Sequence, residues 1–234
     1  EKFMNHKTQN PMESYQLRIL DKSIVTHDTY AFKIEKPKGY SFVPGQATEL
    51  SLLKEGWEDV RRPFSFTSLP KDDFLEFTIK TYEDHEGVTK RLGDAQVGDK
   101  VEIGDAWGAI AYKGEGVFLA GGAGITPFIS ILRDLRQKNE IGNNRLIFAN
   151  KTNEDIILFE ELKTILGHKF QNIIENQKDS AFDRGRIDKE YLIKNINDFK
   201  RQHFYVCGPE GFIIAVNKAL EELGAAPDAL VFEK

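Results

Sequence analysis

The feature that most constrains the fold is a change in the rhythm of apolar residues at the glycine-rich segment 113–116. Before this segment, short runs alternate apolar and polar residues and are separated by turns rich in proline, glycine and aspartate. The predicted strands there are 15–20, 29–34, 47–53, 74–82 and 100–103, with one short helix near 88–92. Many short strands at this spacing are typical of a closed antiparallel barrel.

After Gly116, predicted strands alternate with predicted helices. The strands are 117–120, 145–149, 169–175, 203–207 and 230–232, and the helices are 127–138, 159–166, 189–195 and 210–223. This alternation indicates a parallel sheet with helices on both faces. We therefore predict a tail at 1–12, an antiparallel β-barrel domain at 13–112 and an α/β parallel-sheet domain at 113–234.

Composition and charge exclude several classes of protein. The chain has 234 residues and a formal net charge of −5, without a basic stripe, which disfavours nucleic-acid binding. No apolar run is long enough to span a membrane, and the polar segment 1–11 is not a signal peptide. We expect a protein with no membrane partner and a cytoplasmic location.

The cysteine and histidine content argues against metal chemistry supplied by this chain. Cys207 is the single cysteine, so the chain alone forms no internal disulfide and ligates no iron–sulfur cluster. The five histidines are scattered without the spacing of metal ligands. We predict no metal site.

A glycine turn at 121–127 follows one of the predicted strands and opens a helix. Gly122 and Gly124 would let backbone N–H groups approach a ligand, and the helix N-terminus favours a phosphate. Pro127 suits the first helical turn but stands where a dinucleotide fingerprint has its third glycine. Taken alone, the turn fits an ordinary strand-to-helix connection equally well. A second loop, 207–210, also joins a strand to a helix, and both loops could reach one rim of the sheet.

Three motifs in this order carry a family resemblance. They are Arg-Pro-Phe-Ser at 62–65, Gly-Gly-Ala-Gly-Ile-Thr-Pro at 121–127 and Val-Cys-Gly-Pro at 206–209. From about Glu13 onward the chain resembles the ferredoxin–NADP reductase superfamily, and most of all bacterial stand-alone flavodoxin or ferredoxin reductases. Segment 148–156 is similar to cytochrome b5 reductases. The resemblance implies a flavin-binding barrel followed by an NAD(P)-binding α/β domain.

The resemblance assigns flavin contacts to the barrel and favours FAD over FMN. Arg62 would pair with the flavin phosphate, Pro63 and Phe64 would lie along the flavin, and Ser65 would hydrogen-bond near its N5 atom. Phe64 stands where relatives have tyrosine, so it could stack on the ring without the hydroxyl contact. The resemblance adds flavin-phosphate contacts from Thr78, Ile79, Lys80, Gly87, Val88 and Thr89. An ordinary hairpin with a helix cap at Thr89 would give the same pattern.

The resemblance places the nicotinamide beside two loops of the α/β domain. The residues implied are Gly122, Gly124, Thr126, Pro127, Cys207, Gly208 and Pro209, with the Cys207 thiol near the C4 carbon. Glu233 resembles a glutamate near the flavin, and we group it with Ser65 and Cys207 as catalytic. Relatives usually continue to a terminal aromatic residue over the flavin. Either Phe232 takes that place, or the flavin face is open, or further residues have been removed.

The sequence leaves the choice between NADH and NADPH open. A cation near the end of the second parallel strand would favour a 2′-phosphate, and an acid would favour a free hydroxyl. Lys151 stands at that position, and Arg184 and Arg186 are alternative partners for the phosphate. Against this, segment 148–152 is similar to NADH-using enzymes. We therefore predict NAD(P)H as the co-substrate.

The implied activity is hydride transfer from NAD(P)H to FAD, followed by single-electron transfer to a separate acceptor. Flavodoxin, ferredoxin or an oxygenase component are the candidate partners, and we expect a monomer. Three alternatives stay open: a flavin reductase that releases free reduced flavin, a non-catalytic electron-transfer subunit, and a nucleotide-binding module without redox chemistry.

Overall fold

The structure is a computed structural model that describes residues 14–82, 86–108, 110–226 and 230–232. Its first half contains strands β1 (Tyr15–Thr26), β2 (Thr29–Glu35), β3 (Ala47–Leu52), β4 (Arg62–Ser65), β5 (Phe74–Lys80) and β6 (Lys100–Ile103), with helix α1 (Val88–Asp94). The strands form one antiparallel sheet in the order β4-β3-β6-β1-β2-β5. An antiparallel bridge between Phe66 and Phe77 joins the two ends of this order and closes the barrel.

The barrel is filled by buried apolar side chains from β1, β2, β3, β5 and β6, together with residues from the loops and α1, and the partly buried Phe64 of β4 packs against them. Phe66, Phe77 and Ile103 are fully buried at its centre, and Val88 and Leu92 of α1 pack into the same core. The prediction of a closed antiparallel barrel is confirmed. Strand β1 is longer than predicted because its second half, which lacks clear alternation, pairs with β2 as a hairpin interrupted by register shifts.

The second half contains strands β7 (Gly116–Gly121), β8 (Arg145–Asn150), β9 (Phe170–Ile174), β10 (Asp183–Arg184), β11 (His203–Cys207) and β12 (Leu230–Phe232). Its helices are α2 (Thr126–Gln137), α3 (Phe159–Leu166), α4 (Lys189–Asn195) and α5 (Glu210–Glu222). The predicted strands and helices of this half are all present, to within one residue at each end. Strand β10 was not predicted, because two polar residues carry no periodicity.

All strands of this sheet are parallel, in the order β10-β9-β8-β7-β11-β12. The chain runs outward from β7 in one direction and then returns to place β11 on the other side of β7. Separate apolar clusters cover the two faces. The predicted α/β parallel sheet is therefore confirmed, and the point where the strand order reverses lies between β7 and β11. Open α/β sheets bind ligands at that point.

Two groups of polar contacts fix the second half against the first. The Tyr205 hydroxyl accepts from the Lys113 amide at 2.9 Å and donates to the Gly114 carbonyl at 2.7 Å, which holds the connecting segment. On α2, the Ser130 hydroxyl donates to the Ser68 carbonyl of the barrel at 2.9 Å. Within the described ranges, no helix is long and apolar enough to cross a bilayer.

Candidate functional site

A cleft of about 870 Å³ lies between the barrel and the carboxyl edge of the parallel sheet. Such a volume is within the range of cavities that enclose a small-molecule ligand or cofactor. Both halves of the chain line it. Predicted site residues on its walls are Pro63, Phe64, Ser65, Thr78, Ile79, Lys80, Thr89, Gly122, Gly124, Thr126, Pro127, Lys151, Cys207, Gly208 and Pro209.

Strand β4 supplies one part of the barrel wall. Its pairing with β3 sets Ser65 opposite Ala47, which also lines the cleft. Phe64 and Ser65 are half-buried, so each keeps a surface that a ligand could contact. Arg62 is exposed and lies outside the cleft lining, where its Nη1 donates to the Arg61 carbonyl at 2.7 Å. Its predicted pairing with a flavin phosphate stays a prediction.

Strand β5 and the start of α1 supply the rest of the barrel wall. The Thr78 hydroxyl donates to Thr67 Oγ1 at 3.2 Å, and Ile79 is buried in the barrel core. Gly87 precedes α1 and Val88 is buried in the barrel, and neither lines the cleft. Thr89, which follows Val88 in α1, has a half-buried side chain and lines the cleft.

The glycine turn after β7 forms the opposite wall. Gly122 has a φ of +52°, and a Cβ built there would have no heavy atom of the described residues within 4 Å, so the turn is open on that side. Gly124 is crowded instead, since its Cβ would lie 2.5 Å from the Gly208 amide nitrogen and closer still to the Cys207 carbonyl. The predicted approach of the two loops to one rim is therefore correct, and glycine at 124 permits it.

The strand register explains why the loops meet. Cys207 pairs with Ala120 across β11 and β7, so both strands end at the same level of the sheet. Cys207 is buried, with 6% of its surface exposed, and lines the cleft. Glu233, the third predicted catalytic residue, lies outside the described residues.

The sequence reasoning missed two polar residues at the carboxyl ends of the next strands. Asn150 ends β8 and is 7% exposed, and neither its Nδ2 nor its Oδ1 has a hydrogen-bond partner among the described residues. Glu175 follows β9, and its Oε1 accepts from Arg186 Nε at 2.6 Å. Both residues and Arg186 line the cleft, whereas Arg184 lies on β10 away from it. Polar residues at strand ends were the signal that could have identified them.

Lys80 is held between two carboxylates. Its Nζ lies 3.0 Å from Asp28 Oδ2 and 3.3 Å from Asp155 Oδ1. Burial disfavours the charged form, but Asp28 and Asp155 outweigh that effect and raise the pKa of Lys80 above its ordinary value. The lysine is therefore a cation throughout the neutral range.

Each side of the cleft offers groups suited to a cofactor. On the α/β side, the open turn at Gly122 could receive a diphosphate. The Asn150 amide has no hydrogen-bond partner among the described residues, so it could bond to a ligand there. On the barrel side, Phe64 offers an aromatic face, while Ser65 and Thr89 offer hydroxyl groups. An apolar wall with a few placed polar groups is typical of a cofactor site.

Comparison with known proteins agrees with this division. Residues 16–112 match the family model described as oxidoreductase FAD-binding domain, and residues 118–218 match oxidoreductase NAD-binding domain. Together, the two matches and the cleft define a flavoprotein oxidoreductase that binds FAD and NAD(P). The chain belongs to the ferredoxin–NADP reductase superfamily, as the sequence motifs predicted.

Individual relatives span most of the chain. It is 26% identical over 258 residues to NADH-cytochrome b5 reductase 1 of Bos taurus, covering 93% of this chain and 85% of that protein. It is 25% identical to the reductase component of propane 2-monooxygenase of Rhodococcus jostii, and the match covers 96% of this chain and 64% of that protein. A ferredoxin NADP+ reductase of Neisseria gonorrhoeae, solved with FAD and NADP, has the same fold, with a TM-score of 0.82 and 22% sequence identity. The match covers 94% of this chain and 98% of that one.

Proposed function

We propose that the protein oxidises a reduced nicotinamide nucleotide and delivers the electrons one at a time, by way of FAD, to a separate acceptor protein. The observation that carries this proposal is the convergence of three segments on one cleft: β4 from the barrel, the Gly121–Ile125 turn, and the loop after Cys207. When bound, FAD supplies the conversion between two-electron and one-electron chemistry. The protein binds, orients and shields the reactants.

Each wall has its own part in this proposal. The barrel wall would hold the flavin through Phe64, Ser65 and Thr89, with Arg62 reaching its phosphate from outside the lining. The α/β wall would hold the nucleotide, with Gly122 at the diphosphate. Thr126 and Cys207 would orient the nicotinamide towards the flavin. Fixing two reactants in a reactive geometry is the main way that such a site accelerates transfer.

We also propose that the protein prefers NADH to NADPH. Glu175 places a carboxylate beside the nucleotide side of the cleft and holds the guanidinium of Arg186. A 2′-phosphate would be repelled by this carboxylate, and Arg186 is already paired, whereas a ribose hydroxyl could donate to Glu175. Lys151 is exposed and is the cation left to oppose this preference. The name of the Bos taurus relative supports the same preference.

The acceptor in this proposal is a protein. The relatives are named for cytochrome b5 and for a monooxygenase, which are both protein partners. We extend that role to this chain and propose a ferredoxin, a flavodoxin, a cytochrome or an oxygenase component as its acceptor. The two functional units would divide at 113–116, between the last barrel strand and β7. A cytoplasmic location and a monomeric state stay predictions.

Reconstitution and turnover test the proposal. The purified protein is incubated with FAD, desalted by gel filtration and assayed with NADH or NADPH against ferricyanide, then against the protein acceptors. We expect retained FAD, NADH oxidation and electron delivery to at least one protein acceptor. Retained flavin without oxidation of either nucleotide would refute the proposal. Activity only with added free flavin, which is lost on the column, would indicate a flavin reductase instead.

A further inference from the structure

The Lys80 cluster joins the two halves of the molecule beside the cleft. Lys80 ends β5 and Asp28 lies in the turn between β1 and β2, so both belong to the barrel. Asp155 belongs to the α/β half, in the 3₁₀ helix Asn153–Asp155 that follows β8. The three side chains are 17%, 26% and 12% exposed, so solvent screens their interaction only partly.

Asp155 also contacts the segment that lines the α/β side of the cleft. Its Oδ2 accepts from the Thr152 amide at 3.0 Å and from the Thr152 hydroxyl at 2.9 Å, which closes a capping box. The capped turn begins directly after Lys151, and Lys151 lines the cleft. Fixing Asp155 therefore fixes the start of the segment that follows Asn150 at the strand end.

The charge of the cluster argues against direct binding of a phosphate by Lys80. Two carboxylates surround one ammonium group, so the three charges sum to −1 and attract an anion poorly. His27 adds a further partner, since its Nε2 lies 3.5 Å from Asp28 Oδ2 and 3.7 Å from Asp155 Oδ1, and its side chain is half-exposed. Lys80 is the cation that partly compensates the negative charges of Asp28 and Asp155.

We infer that Lys80 and Asp155 are positioning residues that hold the 151–155 loop for the nicotinamide nucleotide, and that Lys80 is not itself a ligand. This inference rests on the proposed function, because it assigns the loop to the nucleotide. It replaces the flavin-phosphate contact that the resemblance implied for Lys80. Asp155→Asn leaves Lys80 paired with Asp28, whereas Lys80→Met leaves both carboxylates without their cation, so both changes should loosen the loop and the loss of Lys80 should do so more.

A double-mutant cycle distinguishes a positioning role of Lys80 from direct binding of the nucleotide. Lys80→Met, Asp155→Asn and the double variant are compared with wild type for the KM of NADH, kcat and FAD content. We expect each single change to raise KM by about threefold to tenfold, which lies within the coupling measured between contacting residues, with kcat and FAD content little changed. Because each single change already breaks the contact between Lys80 and Asp155, the double variant should raise KM by no more than Lys80→Met alone. Lys80→Arg should restore the KM.

The decisive comparison is Asp155→Asn. If Lys80 binds the nucleotide directly, removing the carboxylate frees the ammonium, and KM should stay unchanged or fall while Lys80→Met raises it. That result, or additive effects in the cycle, would overturn the inference. Lys138→Met and Asp134→Asn, an exposed ion pair on α2 away from the cleft, provide a matched control that should leave KM unchanged.

Failure of the proposed function gives a different result. In that case wild type itself neither binds nor oxidises a nicotinamide nucleotide. The contact between the two halves is then measured by thermal unfolding of the same four proteins. A non-additive loss of Tm supports Lys80 and Asp155 as a coupled pair that fixes the loop. Additive losses overturn this.

Discussion

Gly124→Ala tests the close approach of the two loops at the cleft. The new Cβ would lie 2.5 Å from the Gly208 amide nitrogen and closer to the Cys207 carbonyl, both of which are backbone atoms. A backbone neighbour cannot swing away as a flexible side chain would. The turn after β7 must therefore separate from the loop at 207–209, and both loops hold the nucleotide in the proposed site.

Overpacking of this kind costs about 1–3 kcal/mol. Since about 1.4 kcal/mol is tenfold in an equilibrium constant, separating the loops should weaken nucleotide binding by about tenfold or more. The barrel wall is not altered, so FAD content should stay near that of wild type. The assays are the KM for NADH with ferricyanide as acceptor, FAD retained after desalting, and Tm, which should fall by about 2–4 °C for each kcal/mol lost.

Gly104→Ala is the matched control. Gly104 is buried and lies outside the cleft, and a Cβ built there would have the Thr48 hydroxyl, at 3.9 Å, as its nearest contact among the described residues. This variant should keep the wild-type KM. Nucleotide affinity within about twofold of wild type in Gly124→Ala would refute the reasoning, because twofold is only about 0.4 kcal/mol.

Three further predictions concern charged side chains. Glu175→Gln should shift the ratio of kcat/KM for NADH over NADPH towards NADPH by about tenfold, the value of one hydrogen bond to a charged group, and an unchanged ratio would contradict the assignment. Arg133→Met should lower the free energy of unfolding, measured with urea, by about 3 kcal/mol, because Glu76 and Glu161 lose their partner. Asp155 has a lowered pKa: burial would raise it, but Thr152 and Lys80 outweigh burial. Its stabilisation is therefore present above the ordinary aspartate pKa of about 3.9 and lost as pH falls through the lower folded value, so wild type and Asp155→Asn should converge in stability at acid pH.

The fold was predictable because both halves carry strong local patterns. Alternating and continuous apolar runs identified the strands, and glycine or proline marked the helix limits, as at Pro127 and Gly224. The second half of β1 was missed because residues 21–26 are mostly polar and take their strand form from pairing with β2. That pairing is a tertiary effect, which a local pattern does not contain.

The site was predictable only where a motif spans consecutive residues. Gly122, Thr126 and Cys207 belong to such motifs and line the cleft. Asn150 and Glu175 are single polar residues whose meaning comes from strand ends that only the sheet order brings together. The partners of Lys80 could not be inferred at all, since Asp28 and Asp155 lie 52 and 75 positions away in the sequence.

Among the described residues, Arg133 and Lys80 are the Arg and Lys side chains that form ion pairs between the halves, and their surroundings give them different roles. Arg133 on α2 donates to Glu76 of the barrel at 2.6 Å and to the Thr67 carbonyl at 2.7 Å, and it lines a separate hollow that shares no residue with the cleft. That contact can hold the halves together whether or not a nucleotide is present. The Lys80 contact lies on the cleft wall and fixes the loop beside it. Loss of Arg133 should therefore appear mainly in stability and loss of Lys80 mainly in KM, because of these two contacts only the second lies at the cleft that we propose for the nucleotide.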